Sequence, residues 1–222
     1  MEWLNLDKYS LTALIITLIG SIFWSLAYVN ILLNVKKYKY VDVPILAICA
    51  NIAWEFIWSF IFMPDLGYLF VWGFRVWFFL DVFIVIALFK YGYKQFRFKL
   101  TFSQTSMVYI FMIVSWFVIF ITFTKAGFDT GSGAVGAYMD NIMMSGLYIT
   151  LKLNDKKNKG ISFYTGLYKF VGTALISVAV VITFPQRYFL LSLCVIAFIL
   201  DVWYVSLFDI FKRNKTISHP KK

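Results

Sequence analysis

The sequence predicts an all-α, polytopic membrane protein of seven transmembrane helices, with the N-terminus outside and the C-terminus in the cytoplasm. Apolar residue types make up 61% of the 222 residues and charged types only 14%, whereas a soluble domain usually carries about 25% charged residues. A soluble chain of this length has too little interior to bury that much apolar surface. The apolar residues also fall into seven stretches, and most basic residues lie in alternate segments between them. A single soluble globular domain is therefore excluded.

Each apolar stretch is long enough to cross a bilayer, because a hydrocarbon core of about 30 Å needs roughly 20 mainly apolar residues. The predicted spans, in chain order, are residues 11–35, 43–63, 68–89, 107–123, 134–151, 163–183 and 188–211. The first and fourth spans contain no charge, and the others contain Glu55, Arg75, Asp81, Asp140, Lys169, Asp201 and Asp209. No long hydrophilic segment interrupts this series, so we expect residues 1–222 to form one domain. The start of the chain lacks the charge pattern and A-x-A site of a cleaved signal peptide, so the first span should be retained.

Basic residues determine the predicted orientation. Sixteen Lys and Arg residues fall in the segments after the first, third, fifth and seventh spans, and three, Lys8, Lys125 and Arg187, fall on the opposite side. Segments rich in Lys and Arg stay in the cytoplasm, which requires an odd number of spans and an N-terminus outside. The formal net charge of +10 is explained by this bias, and we infer no nucleic-acid partner. Two cysteines and one histidine exclude a disulfide scaffold, a zinc cluster and haem ligation by a His pair.

Four acidic side chains from four different spans lie at a similar depth. Counted from the nearest charged residue on the cytoplasmic side at 1.5 Å per residue, the depths are about 20 Å for Glu55, 14 Å for Asp81, 18 Å for Asp140 and 16 Å for Asp201. Acids inside a membrane are costly to place there and are functional candidates by default. These four residues are therefore the first candidates for a site.

Polar residues beside these acids predict a shared interior pocket. Three spans carry polar side chains about one helical turn apart, namely Ser21, Ser25 and Tyr28, then Asn51, Glu55 and Ser59, then Asn141, Ser145 and Tyr148. A carboxylic acid in apolar surroundings favours its protonated form, and aromatic ring faces stabilise a nearby cation. Such a pocket is a poor ion channel and is suited to protonating an apolar substrate.

The two cations inside the spans have structural interpretations. Arg75 lies at a depth similar to that of Asp81, so we expect a salt bridge between them. Lys169 is expected to extend its aliphatic stem to the inner face and to place its charge in water. For Asp81 and Asp140, a catalytic base and a structural partner are both open interpretations.

Five stretches of the chain are similar to segments of a known family. They are CANIAWEF (Cys49–Phe56), RVWFFLDVFIV (Arg75–Val85), DNIMMS (Asp140–Ser145), YKFVGTALISV (Tyr168–Val178) and ILDVWY (Ile199–Tyr204). The family is that of the small integral-membrane terpene cyclases of fungal meroterpenoid and indole-diterpene pathways, which also has bacterial relatives. The NxxWE signature, Asn51–Glu55, is the most specific of these features. The similarity runs through nearly the whole chain, although Asp140 replaces the neutral polar residue that we expect in the family.

The resemblance implies a seven-span enzyme that cyclises a linear isoprenoid chain, often one attached to an aromatic or polyketide head group. Family members act on a terminal epoxide or protonate a terminal alkene, in an isomerisation without redox change or metal. The acidic residue of the second-span motif and the Asp of the last span are the essential pair, which here are Glu55 and Asp201. The absence of DDxxD and DxDD motifs independently argues against a diphosphate-ionising enzyme, which needs carboxylates to hold magnesium, and against a soluble protonating cyclase.

The resulting hypothesis is acid-initiated cyclisation. Glu55 is the general acid, Asp201 hydrogen-bonds Glu55, tunes it and returns the proton, and Asn51 orients the Glu55 carboxyl. Asp81 and Asp140 are the candidates for a base or a structural partner. The predicted substrate-binding residues are Asn51, Trp54, Trp58, Trp77, Trp203, Tyr204, Tyr28, Asn141 and Ser145.

The expected partners are a lipophilic prenylated small molecule, the lipid bilayer and, in the same pathway, an upstream prenyltransferase or epoxidase. No cofactor and no metal are expected. A bacterial chain of this kind would lie in the inner or plasma membrane. The alternatives are a seven-helix proton-coupled transporter, which would use the acids as a relay, and a non-catalytic lipid- or sterol-binding membrane protein. A retinal protein is excluded because the seventh span has no lysine at its middle.

Overall fold

The computed structural model describes residues 2–94, 100–154 and 162–218, and within these ranges the chain forms helices and no strands. The helices are α1 (Leu11–Tyr38), α2 (Ile45–Phe56), α3 (Tyr68–Tyr91), α4 (Phe102–Lys125), α5 (Ala134–Asn154), α6 (Phe163–Thr183) and α7 (Tyr188–Ser218). α2 continues as a π-helical segment, Ile57–Ile61, and a 3₁₀ turn, Gly92–Lys94, follows α3. The predicted all-α fold is confirmed.

Five helices are long and apolar enough to cross a membrane. They are α1, α3, α4, α6 and the part of α7 from Tyr188 to Phe208. The second predicted span corresponds to a shorter apolar helix, Ile45–Ile61. α5 spans the predicted residues but is less apolar, because its buried face carries Asp140, Asn141 and Ser145. The crossing of all seven helices, and the side on which each terminus lies, stay predictions.

Three helices begin at a side chain that accepts a hydrogen bond from the backbone of the first turn. Ser10, Thr101 and Ser162 are these N-cap residues for α1, α4 and α6, and each satisfies an N–H group that the helix itself leaves unpaired. In α4 the side chain of Gln104 also accepts a hydrogen bond from the N–H of Thr101, which completes a capping box. α4 therefore begins five residues before the predicted span, because its first turn is polar.

Helix α2 is central, because it packs against α3, α4 and α5, while α1 packs most extensively against α6. At Gly20 the α1 and α6 backbones come so close that a Cβ would lie 2.9 Å from the carbonyl oxygen of Gly172. Glycine permits such close approach between membrane helices. The close α1–α6 contact forms one side of the bundle, and α2, α3 and α5 surround the space beside it.

The N-terminal segment before α1 is bound to the α2–α3 connection. The N–H of Tyr68 donates to the carbonyl oxygen of Glu2 (3.0 Å), and the N–H of Asn5 donates to that of Leu66 (3.0 Å). Asp65 accepts hydrogen bonds from the side chains of Lys8 and Tyr9. These contacts cover one end of the helix bundle, which we call the N-terminal end.

Some of the basic residues that are predicted to be cytoplasmic lie outside the described ranges, namely Arg97, Lys99, Lys156, Lys157, Lys159, Lys221 and Lys222. Of those that are described, Lys36, Lys37 and Lys90 are in the last turns of α1 and α3, at the end of the bundle opposite to Tyr9. Lys152 differs from the expectation of a loop residue, because it is buried and its Nζ lies 4.3 Å from the ring centre of Phe208.

Candidate functional site

A cavity of about 980 Å³, including adjoining open space, lies between α1, α2, α3, α5 and α6. It extends along one face of α1 from Thr17 to Tyr28, which is about 16 Å of helix, and reaches Tyr9 at the N-terminal end. Its walls are mainly apolar and aromatic, and its deep part contains Tyr28, Asn51, Glu55, Asp140 and Asn141. Pockets for organic ligands are typically apolar and aromatic clefts with a few polar groups, and this main cavity has that composition.

Glu55 lines the main cavity and is only 1% exposed. Its Oε1 accepts hydrogen bonds from the hydroxyl of Tyr28 and from Nδ2 of Asn51, the latter at 3.0 Å. Asn51 also donates to the Tyr28 hydroxyl, and it reaches Glu55 because the two residues are four positions apart on α2. Oε2 of Glu55 has no hydrogen-bond partner among the described residues. One oxygen is thus held in place by neutral groups, and the other is buried without such a contact.

Asp81 lies beside this network but lines a second, smaller cavity of about 360 Å³. Its Oδ2 accepts a hydrogen bond from Nδ2 of Asn51 at 3.2 Å. Both cavities are lined by Trp24, Tyr28, Asn51 and Met144, so they are adjacent. Among the candidate acids, Asp81 is linked to Glu55 through a shared amide but does not line the main cavity.

The expected salt bridge between Arg75 and Asp81 is wrong. Nε of Arg75 donates to the carbonyl oxygen of Ser59 at 3.3 Å, and its guanidinium lies over the rings of Trp72 and Phe60, at 4.8 and 5.6 Å. Position 75 is six residues before Asp81, so the two side chains point to different faces of α3. Arg75 instead stabilises the π-helical segment that follows α2.

Asp140 and Asn141 on α5 both line the main cavity. Nδ2 of Asn141 donates to Oγ1 of Thr173 on α6 at 3.1 Å. The Oδ1 atoms of Asp140 and Asn141 have no hydrogen-bond partner in the part of the chain that the structure describes. Together with Oε2 of Glu55, three buried oxygen atoms of cavity-lining residues thus have no hydrogen-bond partner among the described residues.

Asp201 is buried but is not hydrogen-bonded to Glu55, which corrects the predicted contact between them. Its Oδ1 accepts from Oγ of Ser145 and forms a salt bridge with Nζ of Lys169, both at 2.7 Å. Nζ of Lys169 also donates to Oγ of Ser145 at 2.7 Å. Lys169 is 2% exposed, so the expected extension of its charge into water is wrong as well. Burying one charge requires a partner, and Asp201 is that partner.

The aromatic wall of the main cavity is built from α1, α2 and α3. Phe74 and Trp77 stack with their ring centres 5.4 Å apart, Trp54 lies 5.2 Å from Phe74, and Tyr28 stacks with Trp77 at 6.4 Å. Hydrogen bonds fix two of these rings, from Nε1 of Trp77 to Oγ of Ser25 (2.9 Å) and from Nε1 of Trp54 to the carbonyl oxygen of Gly133 (3.2 Å). The rings form a continuous surface next to Glu55.

Four residues predicted to bind substrate lie elsewhere. Trp203 is 53% exposed on the outer face of α7. Tyr204 is buried against Tyr148 and Gly166, and Ser145 holds Asp201. Trp58 packs behind Trp54 and against Gly133. The remaining predicted residues, Tyr28, Asn51, Trp54, Trp77 and Asn141, line the main cavity.

The sequence analysis missed several residues of the cavity, among them Trp24, Phe74, Tyr138 and Thr173. A signal was present on α1, where Thr17, Ser21, Trp24 and Tyr28 are spaced by four, three and four positions and so share one helical face. No comparable signal identifies Phe74, because the lipid-facing and the inward-facing sides of α3 are both rich in Phe.

The arrangement is suited to proton transfer to an apolar ligand. A buried carboxyl lines a cavity with mainly apolar walls, and electron-rich rings beside it attract positive charge. In the described ranges, no three or more His, Cys, Asp and Glu side chains are grouped so as to hold a metal ion.

Comparison with known proteins shows which family the chain resembles. The family model of Pyr4-like transmembrane terpene cyclases matches residues 6–214. A Pyr4-family terpene cyclase, mfmH, of Annulohypoxylon moriforme is 26% identical over 153 residues, which cover 68% of this chain and 62% of that protein. The asnovolin H synthase nvfL of Aspergillus novofumigatus (strain IBT 16806) is 23% identical over 215 residues, which cover 89% of this chain and 85% of that protein.

No solved structure matches the chain. The family model nevertheless covers the helices that form the main cavity, from α1 to α6. The relative mfmH is named a terpene cyclase, which is the activity that the resemblance of Asn51–Glu55 implied. The chain therefore belongs to the Pyr4-like transmembrane terpene cyclases.

Proposed function

We propose that this protein is a membrane terpene cyclase in which Glu55 starts the reaction by protonating the terminal epoxide or alkene of a linear prenyl chain. The products would be cyclic terpenoids or meroterpenoids, depending on whether the chain carries an aromatic or polyketide head group. The reaction is an isomerisation that needs neither a redox cofactor nor a metal. The observation that carries the proposal is the Glu55 carboxyl in the main cavity, with one oxygen held and the other without a protein partner.

The contacts of Glu55 support its role as a proton donor. Tyr28 and Asn51 both donate to Oε1, which leaves Oε2 to carry the acidic proton. Both donors are neutral, so no cation holds the carboxyl in its ionised form before reaction. After proton transfer, the same two hydrogen bonds stabilise the carboxylate that forms.

The steps that follow need shape and shielding rather than further protein chemistry. On an alkene, the O–H bond of Glu55 breaks as a new C–H bond forms, and a carbocation results. On an epoxide, the proton binds the ring oxygen, and the C–O bond then breaks to leave a hydroxyl group and a carbocation. Each ring closes when the π electrons of the next double bond attack this cation. The faces of Trp54, Phe74 and Trp77 lie where they can stabilise it, and the apolar wall keeps water from capturing it.

The proposal includes a membrane arrangement in which all seven helices cross the bilayer, with the N-terminus outside and the C-terminus in the cytoplasm. Ile45–Ile61 is short but is followed directly by the loop that the N-terminal segment covers, and α5 hides its polar face inside the bundle. A prenyl substrate dissolves in the lipid phase, so it enters from the membrane.

The direct test replaces Glu55 by Gln in the full-length protein in lipid nanodiscs. The test substrates are farnesylated and geranylgeranylated phenols, each with a terminal alkene or a terminal epoxide, and the product is measured by mass spectrometry. We expect Glu55→Gln to lower cyclisation by at least about 100-fold, because the general acid is lost. The amide keeps the shape and can still accept from Tyr28, so the unfolding temperature should change little.

A suitable control is Asp65→Asn, which removes a carboxyl from the loop at the N-terminal end, away from Glu55. It should retain most of the cyclisation. Normal turnover by folded Glu55→Gln protein, or no conversion of any substrate by the unaltered protein, would contradict the proposed function.

A further inference from the structure

Asp140 on α5 is a second carboxyl in the main cavity, and the proposed mechanism leaves its final proton without an acceptor. We propose that Asp140 is the catalytic base that ends cyclisation by removing a proton from the last carbocation. This inference rests on the proposed function, because it assigns the last step of the same reaction. It also chooses between Asp81 and Asp140, which the sequence left as two candidates for the base.

Position is the first argument. Asp140 lines the same cavity as Glu55, and it is 3% exposed. Its Oδ1 has no hydrogen-bond partner in the described part of the chain, and neither has Oδ1 of the adjacent Asn141. A buried carboxyl that is not held by the protein, in a cavity that takes an apolar chain, can contact that chain. Asp140 and Glu55 belong to different helices, so one substrate can contact both at different atoms.

The other two acids are less suited to this role. Asp81 lines the second cavity and not the main one, and its Oδ2 is occupied by Asn51. Asp201 lines neither cavity, and its Oδ1 is bound to Lys169 and Ser145. A base must reach the hydrogen that it removes. Of these three carboxyls, Asp140 is the one that lines the main cavity.

The hydrogen bonds of the two carboxyls are the second argument. Oε1 of Glu55 accepts from the hydroxyl of Tyr28 and from the amide of Asn51, whereas Oδ1 of Asp140 accepts from no donor of the described residues. Two carboxyls in unlike surroundings are the usual pattern for an acid and a base in one site.

The proposed step balances without any additional reagent. A C–H bond next to the final cationic carbon breaks, its electron pair becomes the new double bond, and the proton binds the Asp140 carboxylate. The substrate has then gained one proton from Glu55 and lost one to Asp140. The enzyme is reset when Asp140 returns its proton to Glu55 through water that enters after the product leaves.

The experiment compares product distributions, which a purely structural role would not change. Asp140→Asn protein in nanodiscs is given the prenylated phenol that the unaltered protein converts fastest, and the consumed substrate and each product are measured. We expect consumption to stay within about tenfold of normal, because Glu55 still initiates. The ratio of the main alkene to alcohols formed by water capture and to isomeric alkenes should fall by at least about tenfold, since general-base catalysis typically contributes about 10²–10⁴-fold.

Two further variants make the result specific. Asp140→Glu keeps a carboxyl and should restore alkene formation, with the double bond shifted in part to a neighbouring carbon. Asp81→Asn removes the competing acid and should change the rate more than the product ratio. If Asp140→Asn does not fold, Asp140→Glu still decides, because an unaltered distribution of double-bond positions in that variant would overturn the proposal.

Three outcomes would overturn the assignment while leaving the proposed function in place. They are an unchanged product ratio in folded Asp140→Asn protein, a changed ratio in Asp81→Asn but not in Asp140→Asn, and complete loss of substrate consumption in folded Asp140→Asn protein. The last would place Asp140 in initiation rather than termination. Failure of the proposed function is recognised separately, by normal turnover of Glu55→Gln.

Discussion

The hydroxyl of Tyr28 donates a hydrogen bond directly to Oε1 of Glu55, the proposed proton donor. Replacing Tyr28 by Phe should lower kcat by about tenfold to a hundredfold, because a hydrogen bond to a charged group contributes about 1.5–3 kcal/mol and this bond is strongest once Glu55 is ionised. The Michaelis constant should change little, since the aromatic ring remains in the wall. Steady-state kinetics on a converted prenylated phenol check this prediction.

Tyr204→Phe is the matched control, because it removes a buried tyrosine hydroxyl that lines neither cavity. It should leave kcat nearly unchanged. Equal losses in the two variants would show that Tyr28 acts through general packing and not through its bond to Glu55.

For individual residues, the sequence predicted which polar side chains are costly to place inside a membrane, but not which face of its helix each side chain occupies. The contact of Glu55 with Asn51 follows from their spacing of four positions on α2. Trp203 and Trp24 are equally apolar neighbours of polar residues, yet only Trp24 faces the cavity. In a membrane both the interior and the lipid side favour apolar groups, so hydropathy does not tell them apart.

A buried salt bridge connects three helices, since Lys169 on α6 binds Asp201 on α7 and Ser145 on α5. Asp201→Leu alone should destabilise the protein by about 3–5 kcal/mol, because it leaves the Lys169 charge buried without a partner. Lys169→Met alone should have a similar effect for the opposite charge. The double variant should recover most of this loss, since two apolar residues replace a buried ion pair at little net cost.

Unfolding temperatures in one detergent measure this coupling. A double variant that is as unstable as the sum of the two single variants would show that the salt bridge is not the reason for the loss. Recovered stability without recovered cyclisation would show that the charge pair also supports the reaction.

For the helices, the sequence predicted their positions along the chain better than their exact ends and their packing partners. α5 and α6 begin at the predicted residues, because Gly133 and Ser162 mark their starts. The π-helical segment Ile57–Ile61 was not predicted, since the apolar run continues through it without a break. The partner of Lys169 was missed because a lysine near a predicted cytoplasmic end is expected to reach water, and only the packing of α5, α6 and α7 shows that it does not.

For the whole molecule, the proposed topology predicts which sites a membrane-impermeant maleimide can label. Cysteine introduced at Lys125, which is exposed at the end of α4, should be labelled in intact cells. Cysteine introduced at Lys37, exposed in the last turn of α1, should be labelled only after the membrane is opened. The native Cys49 and Cys194 are buried, so the unaltered chain serves as the background control. The opposite labelling pattern would contradict an outside N-terminus.

Composition and the lengths of the apolar stretches were enough to predict a helical membrane protein, because so apolar a chain cannot bury itself in a soluble form and each stretch has the length of a transmembrane helix. The arrangement of helices around a cavity was not predictable in the same way. It depends on contacts such as that between Gly20 and Gly172, where the absence of a side chain matters more than its polarity. Pairwise fits of this kind leave no periodic trace in a single sequence.

Part of the aromatic wall lies on a different helix from the proposed proton donor. Glu55, Tyr28 and Asn51 form one hydrogen-bonded unit of α1 and α2, whereas Phe74 and Trp77 belong to α3, and Trp77 donates to Ser25. Replacing the aromatic rings of α3 would change the conformation in which a flexible prenyl substrate binds, and would leave the proposed proton donor unchanged. Substitutions in the α3 part of the wall can therefore lead to new carbon skeletons, while the residues that start the reaction stay the same.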